Sequence, residues 1–363
     1  MSHKNELFEK LFQLQKLIDK LTENGILKEK LSLPNICVIG GIKSGKISVL
    51  ESILNLNILP IDGLKWSTRC PFEINLNHID SDKSFAIFNN TTYEDLPKLK
   101  EEIEEKLFYL EESDRIEKAP IILNIYSQQY PNLKLIDLPG FTHIPQGDAP
   151  KYMARLPIFI AKNYINNPMN IILCIIGANY ANCHDYYALS GLRIAKEMNS
   201  CSEYPYDLRR ICVLTKIDIM DKGTDVKNFL LNKEIPNELG YIGVINRSRK
   251  DLMNNLSTEE IFKKEKDFFN TDKIYKDLSK DLVGNEAMMK KITKIYFKLI
   301  KDNLPNNLKN EEKIKDLLDL LNEYSLKEDE IFNINVVSNE NKKSEESSSK
   351  SKKNMGIYLG NVK

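Results

Sequence analysis

The sequence predicts an α/β protein, a mostly parallel central sheet covered by helices, with a small helical bundle beside it. Three observations carry this. Continuous apolar runs such as MNIILCIIGAN (169–179) and RRICVLTKID (209–218) read as strands buried on both faces. Helical stretches alternate with them, as a parallel sheet requires. Both flanks are purely helical in pattern.

Taken in order, residues 4–24 place Leu7, Leu11, Leu14, Ile18 and Leu21 on one helical stripe. LPNICVIGG (33–41) is a buried strand running into glycines, and KISVLESILN (46–55) is a helix. FEINLNHI and SFAIFN, within 72–90, alternate as strands do, and residues 92–113 form a charged amphipathic helix. IILNIYS (121–127) and LKLIDLPG (133–140) are strands. ALSGLRIAKEMN (188–199) is the helix between the two longest apolar strands, and YIGVINRS (241–248) is a further strand. From Asn285 the pattern is helical: Met288, Ile292, Ile295 and Leu299 make one stripe, which Pro305 ends. Ile314, Leu317, Leu321 and Tyr324 make another. Residues 338–354 are serine- and lysine-rich and are expected to be disordered.

The composition narrows the function. The 363 residues are 42% hydrophobic, enough for a substantial core. Lysine plus arginine and aspartate plus glutamate both number 52, so no global charge draws the chain to nucleic acid or an anionic membrane. No nucleic-acid partner is expected. The cysteines lack zinc spacing, and Cys37, Cys174 and Cys212 sit in apolar runs as buried hydrophobes. Their use fits a reducing compartment, so a cytoplasmic protein is expected. The longest apolar run, Ile171 to Ile176, is too short to span a bilayer.

Three motifs follow strands. GGIKSGKI (40–47) has the spacing of a phosphate-binding loop: glycine, four residues, then Gly45-Lys46. Backbone N–H groups of such a loop wrap phosphate oxygens at a helix N-terminus, and the lysine reaches the outer phosphates. The next residue should carry a hydroxyl for magnesium, but it is Ile47. Asp137-Leu138-Pro139-Gly140 ends a strand, where an aspartate holds a magnesium hydration shell and the glycine N–H senses the last phosphate. Thr215-Lys216-Ile217-Asp218 ends another, and a carboxylate there accepts two hydrogen bonds from guanine while rejecting adenine. Each tetrapeptide alone is also an ordinary turn or strand end. Their order, each beyond the carboxyl end of a strand, is what a GTP site requires.

At this level the chain resembles the dynamin superfamily. LPNICVIGGIKSGKISVLESIL, WSTRCPF, LKLIDLPGFTHIPQGDAP, CVLTKIDIMDKGTDVKNFLLNK and GYIGVINRSRKDL carry the likeness, which covers roughly residues 5 to 310. The resemblance implies a P-loop GTPase domain flanked by bundle-signalling helices. The expected divisions are an N-terminal bundle helix (1–29), the G domain (30–284), C-terminal bundle helices (285–330) and a disordered tail (331–363). The chain is expected to stop about where a dynamin stalk would begin. By position, Gly40, Gly41, Lys43, Ser44, Gly45, Lys46, Ile47 and Ser48 form the phosphate loop. Thr68 is the switch threonine that binds magnesium and orients water, and Asp137 with Gly140 forms the second switch. Lys216, Asp218 and Asp221 line the base; Asn246, Arg247 and Arg249 complete its pocket.

The departures from the family pattern cluster at the chemistry. Ile47 replaces the magnesium-binding serine, Ile42 a water-positioning glutamine, and Lys43 a serine that holds a monovalent cation. The loop IDGLKWS (61–67) has Gly63 where dynamins have two glycines. The Lys43 ammonium could stand where the cation does. The expected ligands are GTP or GDP and Mg²⁺. The resemblance implies GTP hydrolysis in membrane remodelling or organelle division, slowed here by the altered loop. The competing expectation is a non-hydrolysing regulator that pairs with the G domain of a full-length dynamin. Expected partners are a second copy or that dynamin, with organelle membranes reached only through them.

Overall fold

The computed structural model describes residues 5–27, 31–56, 58–59, 68–112, 116–141, 155–181, 206–304 and 312–327. The expected helix at 188–199, the loop at 61–67 and the expected disordered tail lie outside these residues.

Among the described residues nine strands form one sheet, in the order β4-β3-β5-β2-β6-β1-β7-β8-β9. They are β1 Asn35–Gly40, β2 Phe72–His78, β3 Phe85–Phe88, β4 Thr91–Tyr93, β5 Ile121–Ser127, β6 Leu133–Asp137, β7 Asn170–Gly177, β8 Arg210–Thr215 and β9 Tyr241–Gly243. The half from β6 through β1, β7 and β8 to β9 is parallel. The other half is mixed: β2 runs parallel to β5 but antiparallel to β6, and the β3–β4 hairpin adds antiparallel to β5. Every residue of β7 and β8 is buried, as their unbroken apolar runs predict.

The helices, in chain order, are α1 Glu6–Glu23, α2 Lys46–Leu54, α3 Leu96–Glu112, α4 Leu156–Ile165, α5 Ala178–Ala181, α6 Lys227–Leu230, α7 Arg249–Met253, α8 Thr258–Thr271, α9 Asn285–Asn303 and α10 Lys315–Tyr324. α3 starts later than its sequence pattern implies. Residues Thr91 to Tyr93 pair with β3, and Pro97 sits in the first turn, where its missing N–H costs nothing. β9 is also shorter than expected, because the chain beyond Gly243 leaves the ladder for the loop that carries Asn246.

α1, α9 and α10 pack as a three-helix bundle. Leu7, Leu11 and Leu14 of α1, Met288, Ile292 and Ile295 of α9, and Leu317 and Leu321 of α10 are buried in one cluster. Lys10 Nζ donates to Tyr324 Oη across the bundle at 2.7 Å. The same cluster continues through Ile36, Val38, Leu173 and Val49 onto one face of the sheet, so bundle and sheet share a core. Cys37, Ile39, Cys174 and Cys212 face the other side, packed with Ile160 of α4 and Phe229 of α6. Those three cysteines and Cys70 are free thiols. No described helix is long and apolar enough to cross a membrane.

Candidate nucleotide site

The carboxyl ends of β1, β6, β7 and β8 lie side by side, and the three motifs continue from them. After β1 the chain must pass β7 closely. A Cβ on Gly40 would collide with the Ile175 carbonyl oxygen and Ser44 Oγ, so only glycine fits. The loop then turns through Lys43 at φ 59° and Gly45 at φ 98°, both left-handed, and α2 begins at Lys46. For lysine that conformation costs about 1–2 kcal/mol.

β8 locks this loop in place. Thr215 Oγ1 donates to the Ser44 carbonyl at 2.6 Å, and Lys216 Nζ donates to the Lys43 carbonyl at 2.6 Å. Thr215 side-chain atoms lie against Gly45, where an added Cβ would meet Oγ1 at 3.2 Å. The phosphate loop and the base-side strand are therefore one unit. Burial lowers the Lys216 ammonium pKa, and the nearby Lys43 charge lowers it further.

On the other flank, the segment after β6 zips along the loop. Phe141 N–H donates to the Gly40 carbonyl at 3.0 Å, and Ile42 N–H donates to the Phe141 carbonyl at 3.3 Å. Ile42 presses on Gly140, where an added Cβ would meet Ile42 Cγ1 at 3.0 Å. A side chain at 140 would push Ile42 back by a few tenths of an ångström.

Beneath the loop sit buried charges. Lys46 is 6% exposed and Asp137 is 3% exposed. Burial pulls the Lys46 pKa down and pushes the Asp137 pKa up; each is countered by the charge of the other. Thr68 Oγ1 donates to Asp137 Oδ2 at 2.5 Å, while Asp137 Oδ1 is buried without a hydrogen-bond partner among the described residues. Among the described residues Lys46 Nζ holds one long 3.3 Å contact, to the Gly41 carbonyl. An unpartnered carboxylate oxygen beside a hydroxyl suits a hard divalent cation such as magnesium. Asp137 and Thr68 carry the oxygens that would hold it; Ile47, half-buried against the core, carries none.

On the base side, Asp218 is half-buried, and burial raises its pKa while the Lys264 charge opposes the rise. Asn246 Oδ1 accepts from Asn285 Nδ2 at 3.0 Å, and Arg247 donates to Thr258 Oγ1 at 3.4 Å. Ser248 caps α7 in a capping box with Asp251. Ser48 lines a small cavity with Asn246, Arg247 and Thr258, on a different face of α2 from Ile47's core contacts. Asp221 and Arg249 are exposed, and neither has a side-chain hydrogen bond or ion pair among the described residues.

The residues behind the base loop escape motif reading. α8 is backed onto it by Glu265 and Lys264, which sit in the charged run KKEKD. The capping box Ser257-x-x-Glu260 was the available signal for this helix.

A strand-to-helix phosphate loop, an Asp-x-Pro-Gly turn beside it and a Thr-Lys-x-Asp lock define a P-loop GTPase domain. The dynamin family model matches residues 36–217, and the model of the dynamin central region matches 225–354. The chain belongs to the dynamin family. It is 32% identical to Dynamin-1-like protein of Danio rerio over 80% of this chain and 43% of that protein. It is 35% identical to Dynamin-A of Dictyostelium discoideum over 81% of this chain and 35% of that protein. With Dynamin-2 of Bos taurus the identity is 34%, over 76% of this chain and 31% of that protein. The chain thus spans about two fifths or less of the length of these relatives.

Proposed function

We propose that this protein binds guanine nucleotides and hydrolyses GTP slowly, as a G domain whose pairing serves membrane remodelling or organelle division. The observation that carries the reading is the double lock of Thr215 and Lys216 on the phosphate loop. It joins a base-reading strand to a phosphate cradle in one rigid site, which a decayed loop would not need. We divide the chain into an N-terminal bundle helix, a G domain and C-terminal bundle helices at the boundaries given above.

In this reading Asp218 accepts the two guanine donors, and Asn246 and Arg247 close the pocket. The backbone of Gly41 to Lys46 wraps the phosphates. Lys46 trades its long Gly41 contact for phosphate oxygens, which favours its charged form against burial. Thr68 and Asp137 hold magnesium. When bound, that ion neutralises charge on the outer phosphates. Gly140 N–H meets the last phosphate, and Lys43 offers a fixed positive charge at the mouth of the loop. Exposed Ile219 and Met253 flank the base motifs and supply apolar area for pairing across the nucleotide face.

Ile42 and Ile47 favour the second reading, a GTP-loaded regulator that pairs with a full-length dynamin without turnover. Neither side chain can orient water or bind a metal. Phosphoryl transfer rests on positioning and charge stabilisation, and the loss of one such group commonly costs about 10²–10³ in rate. A paired measurement separates the readings: calorimetric titration with GTP and GDP in magnesium, then phosphate release under saturating GTP. Binding with slow release supports the first and binding without release the second. Absence of binding overturns both.

A further inference from the structure

α8 faces the base loop with a row of polar side chains. Lys264 pairs with Asp251 at 2.9 Å, Thr258 accepts from Arg247, and Glu265 accepts from the Ile245 N–H at 2.7 Å. Glu265 is 4% exposed. Its carboxylate also accepts two bonds from Asn285, the first residue of α9: the backbone N–H at 2.9 Å and Nδ2 at 2.9 Å. A negative group here answers the unpaired N–H groups of the first helical turn.

The carboxylate fixes more than the helix start. An ionised carboxylate only accepts, so the Asn285 amide must turn its NH₂ toward Glu265. The same NH₂ donates to Asn246 Oδ1 at 3.0 Å. That settles the next amide in turn: Asn246 turns its carbonyl to Asn285 and its NH₂ away. Asn246 Nδ2 is then a buried donor without a hydrogen-bond partner among the described residues. A buried donor left unmade costs about 1–3 kcal/mol, so it represents affinity held for an acceptor.

We propose that Glu265 and Asn285 are positioning residues that set the hydrogen-bond polarity of Asn246, so that it offers a donor to an acceptor atom of the guanine ring. This rests on the guanine-site reading above. It adds that the chain selects its base through two residues that do not touch it, one of which begins a bundle helix. The base loop and the first turn of α9 therefore share one buried carboxylate.

The test is a double-mutant cycle on the full chain, read by titration with a fluorescent GDP in buffer above the Glu265 pKa of about 7. Asn285→Leu removes the donor and keeps a similar volume. It should weaken GDP binding about tenfold, the worth of one well-placed hydrogen bond. In an Asn246→Ala background the same change should have no further effect. A merely structural role would weaken binding equally in both backgrounds, and that result overturns the proposal, as does unchanged binding in Asn285→Leu alone. Should Asn285→Leu not fold, Asn285→Ala takes its place in the cycle under the same criteria. GDP binding by the unaltered chain tests the guanine-site reading separately; its absence overturns both.

Discussion

The two halves of the candidate site are built to different standards. On the base side Thr215, Lys216, Asn246, Arg247 and Ser248 all have hydrogen-bonded side chains, and α8 backs their loop. On the phosphate side the hydrogen bonds are mostly backbone, and the side chains at Ile42 and Ile47 are apolar. Buried Ser44 Oγ and Asp137 Oδ1 have no partner there among the described residues, as Asn246 Nδ2 has none on the base side. Recognition needs fixed donors and acceptors in the ground state. Turnover needs groups that act on the transition state. In the proposed reading the first set is kept in Asp218, Asn246 and Arg247, and the second is thinned at Ile42 and Ile47. Binding and hydrolysis should therefore respond separately to substitution.

The largest expected effect lies on the base side. Asp218→Asn replaces an acceptor pair with one acceptor and one donor. Titration with GDP should show a loss of roughly 10³-fold or more, with a relative gain for xanthosine diphosphate, because the site would present the wrong polarity to guanine. A small loss would mean that the half-buried carboxylate does not read the base.

The phosphate half is sharpened by restoring what it lacks. Ile42→Gln with Ile47→Ser should raise phosphate release by about 10²-fold and leave GDP affinity within a few-fold. Ile42 rests on Gly140, so the glutamine would emerge between the loop and the Asp137 segment. A double variant that binds but stays as slow would place the defect elsewhere.

The carboxylate behind the base loop adds a pH dependence. Burial pushes Glu265 from its ordinary 4.5 up to about 7; the Asp218 charge pushes the same way, against hydrogen bonds from Asn285 and Ile245. The folded state then binds this proton more tightly than the unfolded chain. Its stabilisation is full below the unfolded pKa and is lost as pH rises through the folded one. Between about pH 5.5 and 7 the loss should be near 1.6 kcal/mol. Thermal denaturation of the unaltered chain and Glu265→Gln across that range measures it. The glutamine keeps one acceptor oxygen and should flatten the slope; equal slopes would assign the effect to other groups.

The same contrast explains what the sequence reveals. The parallel half of the sheet is legible because β1, β7 and β8 are unbroken apolar runs ending in motifs with fixed chemistry. The mixed half is not, since alternating strands give no sign of which neighbour they pair with or in which direction. The buried arginines are equally silent. Arg209 donates to the Asn170 carbonyl at 2.7 Å and the Ile165 carbonyl at 2.5 Å, partners that nothing in the run RRICVLT names. Asn246 is visible as a motif residue. Its supports Glu265 and Asn285 are distant in sequence and meet only through the fold.

The smallest effect concerns the residue where the two halves touch. Lys43 holds a left-handed conformation in the loop, gives its carbonyl to Lys216 and leaves its side chain exposed. Strain of this kind persists where the surroundings impose it, and it gathers at functional sites. Lys43→Gly should stabilise the fold by about 0.4–1 kcal/mol in a denaturant melt, because glycine adopts the loop's conformation freely. If the ammonium supplies fixed positive charge to the phosphates, Lys43→Ser should slow phosphate release and make it respond to added potassium. A stabilised glycine variant together with a serine variant of unchanged turnover and no potassium response would mark Lys43 as a solvent-facing lysine. The charge on the phosphate half would then come from Lys46 alone.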